Sequence, residues 1–228
     1  MEVHRPKFIK GLIEEIFVIV ISISLAVLAE RGVEKWSHNK EGKEALDRLK
    51  TELEKDAMDL NYNYPLHNNA IIAEQVLTDW SKGKIELSND SLAILASNSL
   101  SFSTFYANTS EIESLKSSSK LSYIEDKELV TKIVENYNRY EEYKLFTNQE
   151  FTIQQNLNAI YRKNTSYEMN SVFKEPFILF NGASVKSLRG NKEFENALQD
   201  KKEIDQIMLL TIKDDLKRVS DLIKEIKK

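Results

Sequence analysis

Ile16 to Ala29 reads IFVIVISISLAVLA, fourteen residues without a charge, and whatever this chain folds into has to accommodate that run. As a helix rising 1.5 Å per residue it covers about 21 Å, short of the roughly 30 Å hydrocarbon core of a bilayer. Extended from Gly11 to Glu30 it becomes twenty residues and about 30 Å, with Glu14 and Glu15 about one turn inside. A carboxylate costs about 2.5 kcal/mol or more at mid-membrane and less at the rim, where it can snorkel or take up a proton. The reading is a transmembrane helix over 11–30, preceded by a tail over 1–10 and followed by a helical soluble domain over 31–228. Two other fates compete: a buried core helix, and a cleavable signal peptide ending near Val27-Leu28-Ala29. Glu14 and Glu15 stand where a signal peptide carries cations, and helical sequence continues past Ala29 without a breaker, so an anchor fits better.

Glu15, Ser22, Ala26 and Ala29 follow at steps of seven, four and three, placing one acidic and three small residues on one helical face. Small residues let two helices approach closely in lipid, so this face predicts homo-oligomerisation; its bland alternative is small residues merely tolerated against lipid. The basic residues nearly tie across the span: Arg5, Lys7 and Lys10 before it, Arg31, Lys35, Lys40 and Lys43 after it. The short basic tail leans toward an internal N-terminus and an extracytoplasmic domain in a bacterial inner membrane.

Past the span, Leu46, Leu49, Leu53, Ala57 and Leu60 repeat at three and four between Glu and Lys, an amphipathic helix running on from the bilayer. Trp36 falls one to two turns beyond the apolar stretch, at the interface or equally in the soluble core. Pro65 predicts a break, with a second helix reaching Trp80 and stopping at Gly83. Ser88 to Asp90 can cap a third helix, and Ser110 a fourth beginning Glu111-Ile112-Glu113. A long helix starts at Asp126 and carries Leu129, Val130, Ile133, Val134, Tyr137 and Tyr140 on one face, with a bend expected near Thr147 to Gln149. Residues 164–191 show no period and read as an irregular loop docked by Phe173, Phe177, Ile178, Leu179 and Phe180. The last helix runs from about Asn191 with Ile204, Ile207, Met208, Leu216, Val219, Leu222, Ile223 and Ile226 on a stripe and a basic tail at its end. The fold class is all-α, a transmembrane helix followed by an antiparallel helical bundle.

One stretch carries Glu15, Leu25-Ala26, Glu30, Val33-Glu34, Trp36 and His38. A second runs from Glu113 through Leu115, Ser117 to Ser119, Leu121 and Ile124 to Glu128-Leu129 and Asn136-Tyr137. In these two stretches the chain resembles a widespread group of uncharacterised bacterial single-span membrane proteins. Ser119 stands where that group often has Gly, and Asn136 where it often has Tyr. The resemblance implies a span plus a helical domain and no assigned activity.

No residue pattern points to catalysis, a cofactor or a metal. The chain has no Cys, and its three His, at 4, 38 and 67, do not pair at metal-ligand spacing. Glu34 and His38 at i and i+4 read as a helix-surface pair ahead of a metal site. Ser117 and Lys120 have a Ser-x-x-Lys spacing but lack its partner motifs. Tyr137, Tyr140, Tyr143, Tyr161, Phe146 and Phe151 read as bundle interior ahead of a ligand pocket. A net charge of -4, with Lys and Glu intermixed, disfavours nucleic acid. The expected function is a membrane-anchored interaction, scaffold or sensory module without catalytic activity, with the bilayer, a second copy and an unidentified protein as partners. The alternative is a membrane effector whose spans assemble through Glu15 and perturb the bilayer.

Overall fold

The computed structural model describes residues 7–170 and 177–226. It is all-α in the main, 85% helical. Six α-helices occur among the described residues: α1 (Lys7–Ser81), α2 (Asn89–Ser99), α3 (Ser110–Ser117), α4 (Lys127–Asn164), α5 (Gly182–Val185) and α6 (Lys192–Ile226). A two-stranded antiparallel hairpin, β1 (Tyr167–Asn170) with β2 (Phe177–Phe180), lies between α4 and α5. His4, Arg5, Phe173 and Lys227-Lys228 lie outside the described residues.

The first correction concerns α1, a single helix of 75 residues and about 110 Å. It runs through Pro65, where the sequence predicts a break. Proline removes one backbone hydrogen bond and crowds the carbonyl four residues back, at about 3 kcal/mol in a helix interior. Here the ring is exposed while Leu60, Asn63, His67, Ala70, Ala73 and Leu77 on either side are all buried. Both halves are held by the same neighbours, and tertiary contact outweighs the local penalty. Pro65→Ala is therefore expected to stabilise the chain by about 1–3 kcal/mol, read as a raised midpoint in denaturant; an unchanged midpoint would mean that the helix is already relaxed around the ring.

From Glu14 to Val33 the described residues of α1 are all exposed. Ile16 to Leu28 present large apolar side chains to solvent, and the segment is long and apolar enough to cross a membrane. Among the described residues, contacts begin at His38, whose ring stacks on Tyr123, and Asn39, which donates to Glu125, and at Gly42 an added Cβ would sit 2.3 Å from the Tyr123 carbonyl oxygen. Only glycine admits that approach.

From there α1, α4 and α6 form the frame. Ion pairs between α4 and α6 run in opposite chain order, Lys132 with Glu225, Arg139 with Asp214, Lys201 with Glu150. Contacts of α1 with α6 do the same, His67 to Asp205, Gln75 to Lys202, Ser81 to Glu195. Thus α6 runs opposite to both, and α1 and α4 run the same way. Two apolar cores are strung along this frame. One gathers Leu49, Leu53, Leu60, Ile133, Tyr140, Met208, Ile212 and Val219. The other gathers Leu77, Trp80, Leu92, Leu157, Tyr161, Leu188, Phe194 and Leu198.

Several local expectations hold. Ser88 caps α2 by accepting from Ser91 N, Asp126 caps α4 by accepting from Leu129 N, and Gly83 takes the left-handed conformation after α1. The expected cap at Ser110 does not form. Its hydroxyl donates to Glu52 of α1, whose carboxylate also accepts from Glu111 N at 3.0 Å, so α3 is capped from a distant helix. In α6, Ile207 is exposed, off the buried stripe. The α4 helix continues through Thr147 to Gln149.

Residues 164–191 are the second correction, since the predicted irregular loop contains the hairpin, α5 and a 3-10 turn. Phe180 packs on Tyr161, and Gly182 lies so close to the Asn89 carbonyl that a Cβ would overlap it. Ser119, between α3 and the 3-10 turn Lys120–Tyr123, sits at φ +59°, a left-handed position that costs a non-glycine residue about 1–2 kcal/mol. Ser119→Gly should raise stability by about 0.5–1 kcal/mol after the extra chain entropy of glycine is counted. A lowered thermal midpoint would show that the Ser119 side chain supports the turn.

Candidate functional site: a buried charge cluster between two cores

Along each of the three long helices the order is the same: apolar core, ionisable residues, apolar core. On α1, Leu49 to Leu60 give way to His67 and Glu74 before Leu77 and Trp80; on α4, Glu150 separates Tyr143 from Leu157; on α6, Lys201 and Asp205 separate Leu198 from Met208. Glu74, Glu150, Lys201 and Asp205 are each 0% exposed and His67 1%. Burying charge costs several kcal/mol per group, and well-packed apolar residues are often as stable or more so. Five ionisable groups in one layer therefore call for a role beyond holding the helices together.

Lys201 sits at the centre, its Nζ donating to Glu150 Oε1 at 3.1 Å and Asp205 Oδ2 at 2.5 Å. His67 Nδ1 lies 2.6 Å from Asp205 Oδ1 and 3.6 Å from Glu150 Oε1, and His67 Nε2 lies 2.9 Å from Ser103 Oγ. Neither oxygen of Glu74, nor Glu150 Oε2, has a hydrogen-bond partner. Desolvation first, then the neighbouring Asp205 charge, pushes the Glu74 carboxyl up to about 10. Desolvation also raises Glu150, to about 7, with Lys201 and His67 limiting the rise. Burial alone would disfavour charge on Asp205, but the hydrogen bond from His67 and the Lys201 charge outweigh it and hold Asp205 below the usual carboxylate range. Lys201 is likewise held above its ordinary value because Asp205, Glu150 and Glu74 outweigh its desolvation. Among the described residues, His67, Glu150 and Asp205 are also the group whose ligand atoms could meet on one cation, all within 4.8 Å of one another.

Ser103, His67 and Asp205 are bonded in the order of a nucleophile, base and orienting acid. Two observations weigh against that use. Ser103 is only 6% exposed, and Asp205 is shared with the Lys201 ammonium, which weakens its pull on the imidazole. A cavity of about 500 Å³ lined by Gly42, Leu46, Tyr123, Leu129 and Ile226 lies at the other end of the frame and touches none of the cluster.

The residues singled out in the sequence lie elsewhere. Glu15, Ser22, Ala26 and Ala29 are exposed on the uncovered part of α1, and Trp36 is 68% exposed with the Lys40 ammonium over its ring at 5.9 Å. Glu34 and His38 form a surface pair at 3.9 Å, and His38 stacks on Tyr123. The Lys120 ammonium is engaged by Glu41 at 2.7 Å, and Ser117 bonds the Ser114 carbonyl, so the Ser-x-x-Lys spacing makes no relay. Tyr137, Tyr140, Tyr143 and Tyr161 are core residues, while Phe151 is 48% exposed. Glu74, Glu150, Lys201 and Asp205 went unremarked in the sequence, and His67 figures there only as a histidine without a partner at metal-ligand spacing. The available signal was five ionisable residues falling on the apolar faces of helices, legible only once those faces are assigned.

No family model matches the chain, and no curated protein or solved structure matches it. The geometry has to speak alone.

Proposed function

We propose that the protein is a single-pass, membrane-anchored helical interaction or sensory module without catalytic activity, set in a bacterial inner membrane. The observation that carries this is the continuity of α1. One helix presents an uncovered apolar surface from Ile16 to Leu28 and then supplies Leu49, Leu53, Leu60, His67, Glu74, Leu77 and Trp80 to both cores and to the charge cluster. Apolar area left in water costs about 25 cal/mol per Å², and a bilayer covers such a surface on all sides. Because the span and the domain share one rod without a break, a rotation or shift at one end is delivered to the other. The exposed Trp36 ring suits the interface, and Glu15, Ser22, Ala26 and Ala29 give two copies a face for close approach. The basic tail supports an extracytoplasmic domain. The helices on either side of the charge cluster form an antiparallel bundle standing on this anchor.

Fractionation tests the anchor. The full chain should stay with membranes through alkaline carbonate, and a chain lacking residues 2–30 should become soluble while retaining its helical circular dichroism. Release of the full chain by carbonate would overturn the proposal. Single cysteines at Ser22 and Ala26 should crosslink into dimers; absence of dimers at both removes the oligomer face.

A further inference from the structure

We propose that the buried layer formed by His67, Glu74, Glu150 and Asp205 is a binding site for one divalent transition-metal ion of the Mn²⁺, Fe²⁺ or Zn²⁺ class. This goes beyond the anchored-module reading and does not depend on which side of a membrane the domain occupies.

The first support is geometric. Ligand atoms of His67, Glu150 and Asp205 already lie within 4.8 Å of one another, and they come from three different helices fixed on both sides by apolar cores. Facing helices of a bundle are a common place for such ligands to converge. The second is the set of oxygens left over. Both oxygens of Glu74 and Oε2 of Glu150 are buried without a hydrogen-bond partner, although buried polar atoms are satisfied in the great majority of cases. Once their protons are displaced, these oxygens are electron-pair donors beside Asp205 and Lys201. The third is charge. A single dication can take the place of the two protons held on the Glu74 and Glu150 carboxyls, so its binding adds no net charge to a medium that tolerates net charge poorly.

Lys201 does not block the site. Its ammonium uses Glu150 Oε1 and Asp205 Oδ2, leaving Glu150 Oε2 and all of Glu74, so it can orient the ligating carboxylates from outside the coordination sphere. Ser103 fits a similar role. When His67 Nδ1 binds the ion, Nε2 carries the proton, and Ser103 Oγ at 2.9 Å is placed to accept it, as the outer nitrogen of a ligating histidine usually requires. One imidazole among carboxylates selects Mn²⁺, Fe²⁺ or Zn²⁺ over Ca²⁺ and Mg²⁺, which take oxygen ligands alone.

The test uses the untagged full chain in detergent, stripped with chelator and titrated with Zn²⁺ or Mn²⁺, with bound metal counted by elemental analysis after gel filtration. One ion per chain and a raised thermal midpoint are expected. Glu74→Gln keeps the shape of the side chain and removes its charge, so it should fold and bind at least tenfold more weakly. Glu150→Gln, whose side-chain oxygen can still accept from Lys201, should do the same and serves if Glu74→Gln does not purify. Less than about a tenth of an ion per chain in the wild type, or unchanged affinity in these variants, overturns the proposal.

Discussion

Replacing Lys201 with Met should lower the unfolding free energy by about 3–5 kcal/mol, the largest effect expected of any single polar substitution in the chain. The side chain is fully buried, and its ammonium is the shared partner of Glu150 and Asp205. Met fills similar volume, so the cost is not a cavity. It comes from leaving two carboxyls in the core without their counter-charge. Denaturant unfolding in detergent measures it, and adding Glu150→Gln and Asp205→Asn to Lys201→Met should recover much of the loss, because an uncharged layer needs no ammonium. A loss below about 1 kcal/mol would show that water reaches the layer and screens it.

Stability should also fall as pH rises through neutrality, with a chelator present so that no cation competes. The groups facing one another here are His67 and Glu74 from α1, Glu150 from α4, and Lys201 and Asp205 from α6, with the Tyr143 and Tyr161 hydroxyls nearby. Glu74 keeps its proton in the folded chain to about pH 10 and Glu150 to about 7, whereas both lose it near 4.5 when unfolded. The folded state therefore binds more protons above pH 4.5, and stability declines from there upward, by about 1.4 kcal/mol per pH unit for each extra proton held. Lys201, raised above 10.5, extends the decline into the alkaline range. Asp205, lowered below 3.8, acts in the other direction: its contribution is present above that value and is lost on acidification. The thermal midpoint should peak near pH 4–5 and fall steadily to pH 9. Glu74→Gln should match the wild type at pH 5 and exceed it increasingly at pH 7 to 9. A wild-type midpoint that stays level or climbs between pH 5 and 9 would refute the protonated state of this residue.

The fold was legible where a local signal was also the global one. Leu49, Leu53 and Leu60, Ile133 and Tyr140, and Met208 and Val219 all stand on apolar stripes at helical spacing, and all are buried. Asp126 and Ser88 cap the helices they precede because a side-chain oxygen meeting a free N–H needs only its own neighbours. The signal failed where a distant segment overruled it. Pro65 does not end α1, because buried residues on both sides hold the helix. Ser110 does not cap α3, because Glu52 reaches its first turn from 58 residues away. Residues 177–180 form a strand because Tyr167–Asn170 lie opposite, a pairing that no period within either segment announces.

By itself the sequence determined a largely helical chain with one uncovered apolar segment at its start, since apolar spacing and the absence of charge from Ile16 to Ala29 are properties of neighbouring residues. Only the tertiary structure decided that this segment and the core helix are one rod, and that His67, Glu74, Glu150, Lys201 and Asp205 meet. Those five are spread over 139 positions of three helices. Each alone resembles an ordinary surface charge, and its meaning is set by the depth at which opposed helices bury it.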